Sequence, residues 1–344
     1  MSSSPRILCF GSLNIDEVYT VPHLVRPGET LASTAYGVHA GGKGANQAVA
    51  AARVCPRVHM AGKVGPDGLW LKSKLDEGGV NTQYVATDAA VTGRAIIQVD
   101  RLKGENGIVL FPGANQEIAS EVIYSTLRNF GVNDMLLLQN EVSGLQDLLA
   151  AGRAAGLTVA FNPAPMPSRL TSQVDLNQVD ILVLNETEGR SLWKMLNDRS
   201  TSVPEKSQPV LEGIHRHYPD ISIIILTLGS KGVQASFQSG RKFNITSGCF
   251  LFTAHPLPAG CSVVDTSGAG DTWIGYFAGY LVSRKVECDN QSPAPTKETL
   301  PLSLIKSCIH KASAAAALSV TKHGAMDSIP SVKEVENFIS ELDH

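Results

Sequence analysis

The segment 261-CSVVDTSGAGDTWIGYFAGYL-281 sets a strand-like run, a turn of small residues and a helical pattern in direct succession. Gly268, Ala269 and Gly270 carry little or no side chain, so their main-chain N–H groups can approach an anion closely. The helix that follows has apolar residues at Trp273, Ile274, Phe277, Ala278 and Leu281. Its start adds unpaired donors and positive partial charge. That combination suits phosphate. Asp271 stands in the first helical turn, where the dipole favours negative charge and a carboxylate can take a proton from a hydroxyl. An Asp there can equally be a plain helix cap. The glycines do not make a dinucleotide fingerprint: G-x-G-x-x-G would need glycine where Trp273 stands, and the motif lies far from the first strand. This disfavours a nicotinamide dehydrogenase.

A second glycine-rich stretch, 37-GVHAGGKGANQ-47, nearly spells the phosphate loop G-x-x-x-x-G-K-[ST]. Gly44 stands where a Ser or Thr should hold magnesium, and no buried strand precedes the loop, so it is not one. Gly41, Gly42 and Gly44 permit close backbone approach to a small ligand, Lys43 and Asn46 supply polar contacts, and a helix is predicted from about Ala45. At the end of the N-terminal strand, 11-GSLNID-16 alternates Asn14 and Asp16 with Leu13 and Ile15, so both polar side chains point one way. A carboxylate that accepts and an amide that donates and accepts can bind a vicinal diol. An Asx turn would use the same residues.

These stretches need a scaffold. The chain has 344 residues, 43% hydrophobic and 18% charged, with a formal net charge of −3. No dominant field draws nucleic acid or an anionic membrane, and no apolar run reaches membrane-spanning length. The start lacks a signal core, and the six cysteines read as buried reduced thiols rather than a C-x-x-C metal or disulfide framework, so a cytoplasmic placement is expected. The histidines make no zinc-like pair. Strands are predicted at 6–10, 57–61, 134–139, 157–161, 179–184 and 221–227, separated by helical patterns at 44–54, 67–78, 144–156 and 186–196. Strands apolar on both faces and alternating with helices predict an α/β body around a mostly parallel sheet. Segments 17–40 and 92–111 break the rhythm as strands and turns, which suggests a small sheet lid on one domain spanning 1–344; ordinary hairpins would give the same pattern. Helices are expected over 269–283, 301–321 and 332–342, and surface loops at the polar inserts 197–209 and 287–301.

GSLNID, AGGKGANQAVAAARV, 162-NPAP-165, 185-NETE-188, 227-TLGSKG-232 and 265-DTSGAGD-271 resemble, in order and spacing, the ribokinase family of carbohydrate kinases, from about Arg6 to Pro330. The resemblance implies a three-layer α/β/α sandwich with a β-sheet lid, and ATP-dependent phosphorylation of D-ribose at its 5-hydroxyl. It leaves open kinases of 2-deoxyribose, fructose or adenosine, and a non-catalytic sugar-binding protein. It implies Asp271 as the base, with an anion hole from the amides of Gly268, Ala269, Gly270 and Asp271. Asn14, Asp16, Gly42, Lys43, Asn46 and Glu141 match sugar-binding positions. Asn185 and Glu188 match positions linked to magnesium and phosphate; the same NETE could be a helix N-cap with first-turn acids. Thr227, Leu228, Gly229, Ser230, Lys231, Gly232 and Ser313 match ATP contacts. Asp265, Ser267, Ser319, Lys322, Gly324 and Ser328 match a potassium site, several through carbonyl oxygens. A homodimer through the lid and a place in the cytoplasm or nucleus are implied too.

Overall fold

Ile7, Leu8, Cys9 and Phe10 are all fully buried, yet they serve two different cores: Ile7 and Cys9 join one apolar cluster, Leu8 and Phe10 the other. A strand alternates its side chains, so burial on both faces demands cover on both. The computed structural model describes residues 4–102, 105–197, 201–288 and 297–342. It runs β1 (Ile7–Phe10), β2 (Asn14–Val21), β3 (Ala35–Gly41), α1 (Lys43–Ala52), β4 (Val58–Val64), α2 (Leu69–Glu77), β5 (Asn81–Thr87), β6 (Gly93–Asp100) and β7 (Asn106–Phe111). Next come α3 (Ser120–Leu127), β8 (Met135–Gln139), α4 (Leu145–Ala154), β9 (Thr158–Asn162), α5 (Leu170–Gln173), β10 (Ile181–Asn185), α6 (Glu186–Leu196), α7 (Ser207–His217) and β11 (Ile223–Thr227). The rest is β12 (Val233–Phe237), β13 (Phe243–Asn244), β14 (Gly248–Phe252), α8 (Ala269–Cys288), β15 (Glu298–Thr299), α9 (Leu302–Ser319) and α10 (Val332–Leu342).

Nine strands form one sheet in the order β14-β12-β11-β10-β9-β8-β1-β4-β5, parallel from β11 through β5 and antiparallel at β12 and β14. One core lies between this sheet and α1, α2, α8, α9 and α10; the other lies under α3, α4, α6 and α7. The fold is the expected α/β/α sandwich. Gly275 lets α8 lie directly on α1, because a Cβ there would sit 2.4 Å from the Gln47 carbonyl oxygen. That close approach brings the head of α8 to the polar face of α1.

The two rhythm-breaking segments do pair. β3-β2-β6-β7 form a separate four-stranded sheet, with β2 and β6 parallel from Asn14 opposite Gly93 to Val21 opposite Asp100. The sheet begins earlier than the pattern suggested. Asn14 and Asp16 open β2 of this small sheet and do not belong to the end of the N-terminal core strand. A turn at 11–13 separates the two strands. The inserts are only partly loops. Residues 198–200 and 289–296 lie outside those described, while Ser207 already opens α7, α8 continues to Cys288, and Glu298–Thr299 pairs with Phe243–Asn244. Strands β5, β12 and β14 and helices α3 and α7 were not anticipated.

Candidate active site

Three chain ends meet at one place: the head of α8, the head of α1 and the start of β2. At the head of α1, Gly42 holds φ +94°, and a Cβ on it would lie 2.8 Å from the Ser12 carbonyl oxygen. Only glycine takes that turn without strain. It folds 41–44 over 11–14, where the Ala45 N–H donates to the Ser12 carbonyl at 3.0 Å. Gly41 leaves room for a neighbour: a Cβ there would fall 2.0 Å from Asp16 Oδ2.

Asp271 is buried in the first turn of α8. Gln47 Nε2 donates to its Oδ1 at 2.9 Å and Asn46 Nδ2 to its Oδ2 at 3.2 Å. Both donors come from α1, one residue apart. Of the four amides expected to cradle phosphate, that of Ala269 makes a long 3.3 Å bond to the Thr266 carbonyl. Those of Gly268, Gly270 and Asp271 find no carbonyl partner among the described residues, as helix geometry predicts for a first turn. Asp271, Gly268 and Gly270 line a cleft of about 230 Å³ together with Lys43, Asn162, Asn185, Glu188, Thr227 and Thr266.

The sugar-side candidates converge. Glu141, two residues past β8, accepts from the Ser12 hydroxyl in a short contact and from the Lys43 N–H at 3.2 Å. Burial pushes its carboxyl above the ordinary range, against the pull of Lys43 and Ser12. Asp16 is pushed up to about 7, chiefly by burial and further by Glu141 and Asp271, and its Oδ1 has no partner among the described residues. Lys43 is raised, first by Asp271 and then by Glu141, Glu188 and Asp16, against its own burial. A cation thus sits within reach of four carboxylates. Asn14 is less free than its type suggests. Its Oδ1 accepts from Asn115 Nδ2 at 2.8 Å, so the Asn14 amide presents its N–H₂ end.

The nucleotide-side candidates spread further. Asn185 and Glu188 form a full capping box: Glu188 N–H donates to Asn185 Oδ1 and Asn185 N–H to Glu188 Oε2, both at 2.8 Å. Both side chains also line the cleft, so cap and site coincide. Burial raises the Glu188 carboxyl. Thr227 ends β11 in the cleft, but Leu228, Gly229, Ser230, Lys231 and Gly232 form the turn beyond it and do not line that space. Lys231 is exposed, with Glu186 3.7 Å away. Ser313, midway along α9, accepts from Trp273 Nε1 at 3.1 Å.

Among the proposed cation ligands, Asp265 staples two loops. Its Oδ1 accepts from Ser267 N–H at 2.8 Å and its Oδ2 from Gly324 N–H at 3.0 Å, bonds that hold its carboxyl below the usual range despite burial. Ser319 and Ser328 are buried and donate to the Ala316 and Ala325 carbonyls. Lys322 sends its ammonium away, to Glu334 at 2.7 Å. Among the described residues no three His, Cys, Asp or Glu side chains converge on a metal-sized space, and no helix is long and apolar enough to cross a membrane.

The pattern of the pfkB family carbohydrate kinases matches residues 4–332. This chain belongs to that family. Among the kinase's relatives, ribokinase of Haemophilus influenzae is 33% identical over 96% of each chain. Deoxyribokinase of Salmonella typhi is 30% identical over 97% of this chain and 98% of its own. The solved structure of Arabidopsis thaliana ribokinase complexed with ribose and ATP superposes with a TM-score of 0.75 at 28% identity, covering 98% of the kinase and 99% of that chain. The polar residues at the kinase's site that escaped sequence reasoning include Ser12, Gln47, Asn115, Gln139 and Asn162. Gln47 alone left a signal, since it follows Lys43 by four residues and so shares its helix face. The others meet partners more than 100 residues away or, for Gln139, 92 away.

Proposed function

We propose that this kinase transfers the γ-phosphoryl group of ATP to the 5-hydroxyl of D-ribose, with Asp271 as general base. The observation that carries the reading is the placement of Asp271. It is buried, donor-held on both oxygens, beside three open amides and within the charge cluster of Lys43, Asp16 and Glu141. Phosphoryl transfer needs in-line positioning, neutralised phosphates and a base for the acceptor, and each has a candidate here. Asp16 and the Asn14 N–H₂ group hold the sugar diol, with Gly42, Lys43, Asn46 and Glu141 around it. Asp271 takes the hydroxyl proton as the sugar oxygen attacks the γ-phosphorus and the bond from that phosphorus to the bridging oxygen of ADP breaks, releasing ADP, and the amides of Gly268, Gly270 and Asp271 receive the charge on the phosphoryl oxygens. The ribose- and ATP-bound relative supports both ligands.

Oxygen donors at the cleft fit magnesium only in part. Glu188 keeps one carboxylate oxygen outside its capping box, so a magnesium ion would lean on it through water and on the phosphates themselves. The Asn185 amide is free at its N–H₂ end for a phosphate oxygen. Magnesium supplies charge neutralisation when bound. The loops stapled by Asp265 put Ser267 and Gly324 together beside Gly268, whose Cα side abuts Ala325. Carbonyl oxygens there, with Ser319, Lys322 and Ser328, fit a potassium ion that would reinforce the anion hole. Thr227 to Gly232 and Ser313 would run along the nucleotide. The small sheet closes over the sugar as a lid. Its exposed Tyr36, Val38, Ile96, Ile108, Val109 and Leu110 support pairing with a second copy. The cytoplasm, where ATP and free sugar meet, is the place for it.

The Salmonella relative favours one second reading, a 2-deoxyribose kinase with the same chemistry. An ATP-consumption assay with ribose, 2-deoxyribose, fructose and adenosine, each with potassium or with tetramethylammonium, tests both. Fastest turnover on ribose with potassium is expected. Preference for deoxyribose would move the assignment to the second reading, and indifference to the cation would remove the potassium site.

A further inference from the structure

The Asp271 carboxylate is one end of a buried chain of side chains. Gln47 Nε2 donates to Asp271 Oδ1 at 2.9 Å, and Gln139 Nε2 donates to Gln47 Oε1 at 2.7 Å. Both glutamines are fully buried. Gln139 ends β8, Gln47 lies on α1 and Asp271 opens α8, so three elements of the sandwich contribute one link each. Behind Gln139 stands the Cys9 thiol of β1, 3.7 Å from Nε2, which burial holds as a neutral thiol with its pKa pushed to about 12. Gln47 Nε2 also makes a long 3.5 Å contact to Asn162 Oδ1, whose own amide is pinned to the Val183 carbonyl at 2.9 Å.

An amide has two unlike ends. If Gln47 turned over, its oxygen would face the Asp271 carboxylate, and acceptor would meet acceptor in a buried space, which is costly. Gln139 reinforces that sense from the other end: a donor 2.7 Å from Gln47 Oε1 holds the oxygen on its own side and the N–H₂ group on the Asp271 side. Gln139 Oε1 has no protein partner among the described residues, so the link to Gln47 is the short bond that this amide makes.

We propose that Gln47 and Gln139 are positioning residues for the base: Gln139 anchors the far end of the Gln47 amide, and Gln47 holds one oxygen of Asp271 so that the other lone pairs face the sugar hydroxyl. This rests on the reading of Asp271 as the base. Both glutamines are fully buried and neither lines the cleft. A misaimed carboxylate lowers the rate of proton removal without weakening sugar binding, because alignment errors of about 1 Å can cost on the order of 10²-fold in rate.

A double-mutant cycle separates this from a structural role. Gln47→Met should lower kcat by about 10–100-fold and Gln139→Met, one link further, by roughly 3–10-fold, with KM for ribose and ATP held within about threefold. In an Asp271→Ala background, Gln47→Met should change kcat by less than about twofold, since there is no carboxylate left to aim. Equal losses in both backgrounds would overturn the proposal, as would wild-type kcat in Gln47→Met. Should Gln47→Met fail to fold, the same cycle on Gln139→Met decides. Near-normal turnover of Asp271→Ala alone would instead defeat the base assignment, so the two failures are told apart.

Discussion

Asp271 and Asp16 both act on the Lys43 ammonium, and they are held in opposite ways. Asp271, on a helix, has an amide donor on each oxygen and is oriented before any ligand arrives. Asp16, on the small sheet, has one oxygen with no partner among the described residues, and burial has pushed its pKa to about 7. A group that must accept a proton at the right instant gains from being aimed in advance. A group that must hold a ligand gains most when the ligand itself brings the missing donor. On the proposed reading, the body of the molecule is built for alignment, and the small sheet is left incomplete for binding.

Three experiments strain that contrast, taken from the largest effect to the smallest. Removing the charge at the binding carboxylate comes first. Asp16→Asn should weaken ribose binding by about 10–100-fold, the loss of a charge-assisted hydrogen bond, read by calorimetry. Unchanged affinity would put the sugar elsewhere. Displacing the carboxylate without removing its charge is the second. In Gly41→Ala the new Cβ would lie 2.0 Å from Asp16 Oδ2, so the carboxylate must swing away. The fold should survive and ribose affinity should fall roughly tenfold, less than for the lost charge.

The third concerns stability and has a definite sign. A carboxyl raised from about 4 when unfolded to about 7 when folded binds its proton more tightly in the native state. Its contribution is complete below about pH 4 and is lost as pH rises through about 7. Asp16→Asn abolishes that loss. The variant, though poor at binding, should therefore melt several degrees above the parent at pH 8, a gain on the order of 1–4 kcal/mol, and no higher at pH 4. A thermal-melt series that shows the same difference at both pH values would mean that Asp16 is not the strained group described here.

The same contrast governs what could be read from sequence. Candidate side chains in short runs were legible: Asn14, Asp16, Lys43, Asn46 and Asp271 fall in three motifs, and the fold brings them together. The core strands were legible too, because a strand buried on both faces is apolar along most of its length, with polar residues such as Gln139 and Asn162 at its ends. Strands β12 and β14 are harder to find, since they sit at the antiparallel edge and mix Gln, Ser and Gly among apolar residues. Helix α7 was hidden behind a Pro- and Ser-rich lead-in, whose composition favours loops up to the residue where the helix begins. Partnerships were not legible. Nothing in GANQ over 113–116 says that Asn115 will donate to Asn14 Oδ1, and nothing in LLLQN says that Gln139 will meet Gln47. Those contacts exist only once the sheet order sets β8 beside β1 and Gly275 lets α8 rest on α1.

The central claim is that the carboxylate of residue 271 removes the proton from the sugar hydroxyl. Turnover of Asp271→Ala, measured beside its ribose affinity, tests it most directly. The prediction is a fall in kcat of about 10²–10⁴-fold with ribose still bound at close to the parent affinity. Turnover near that of the parent would contradict it.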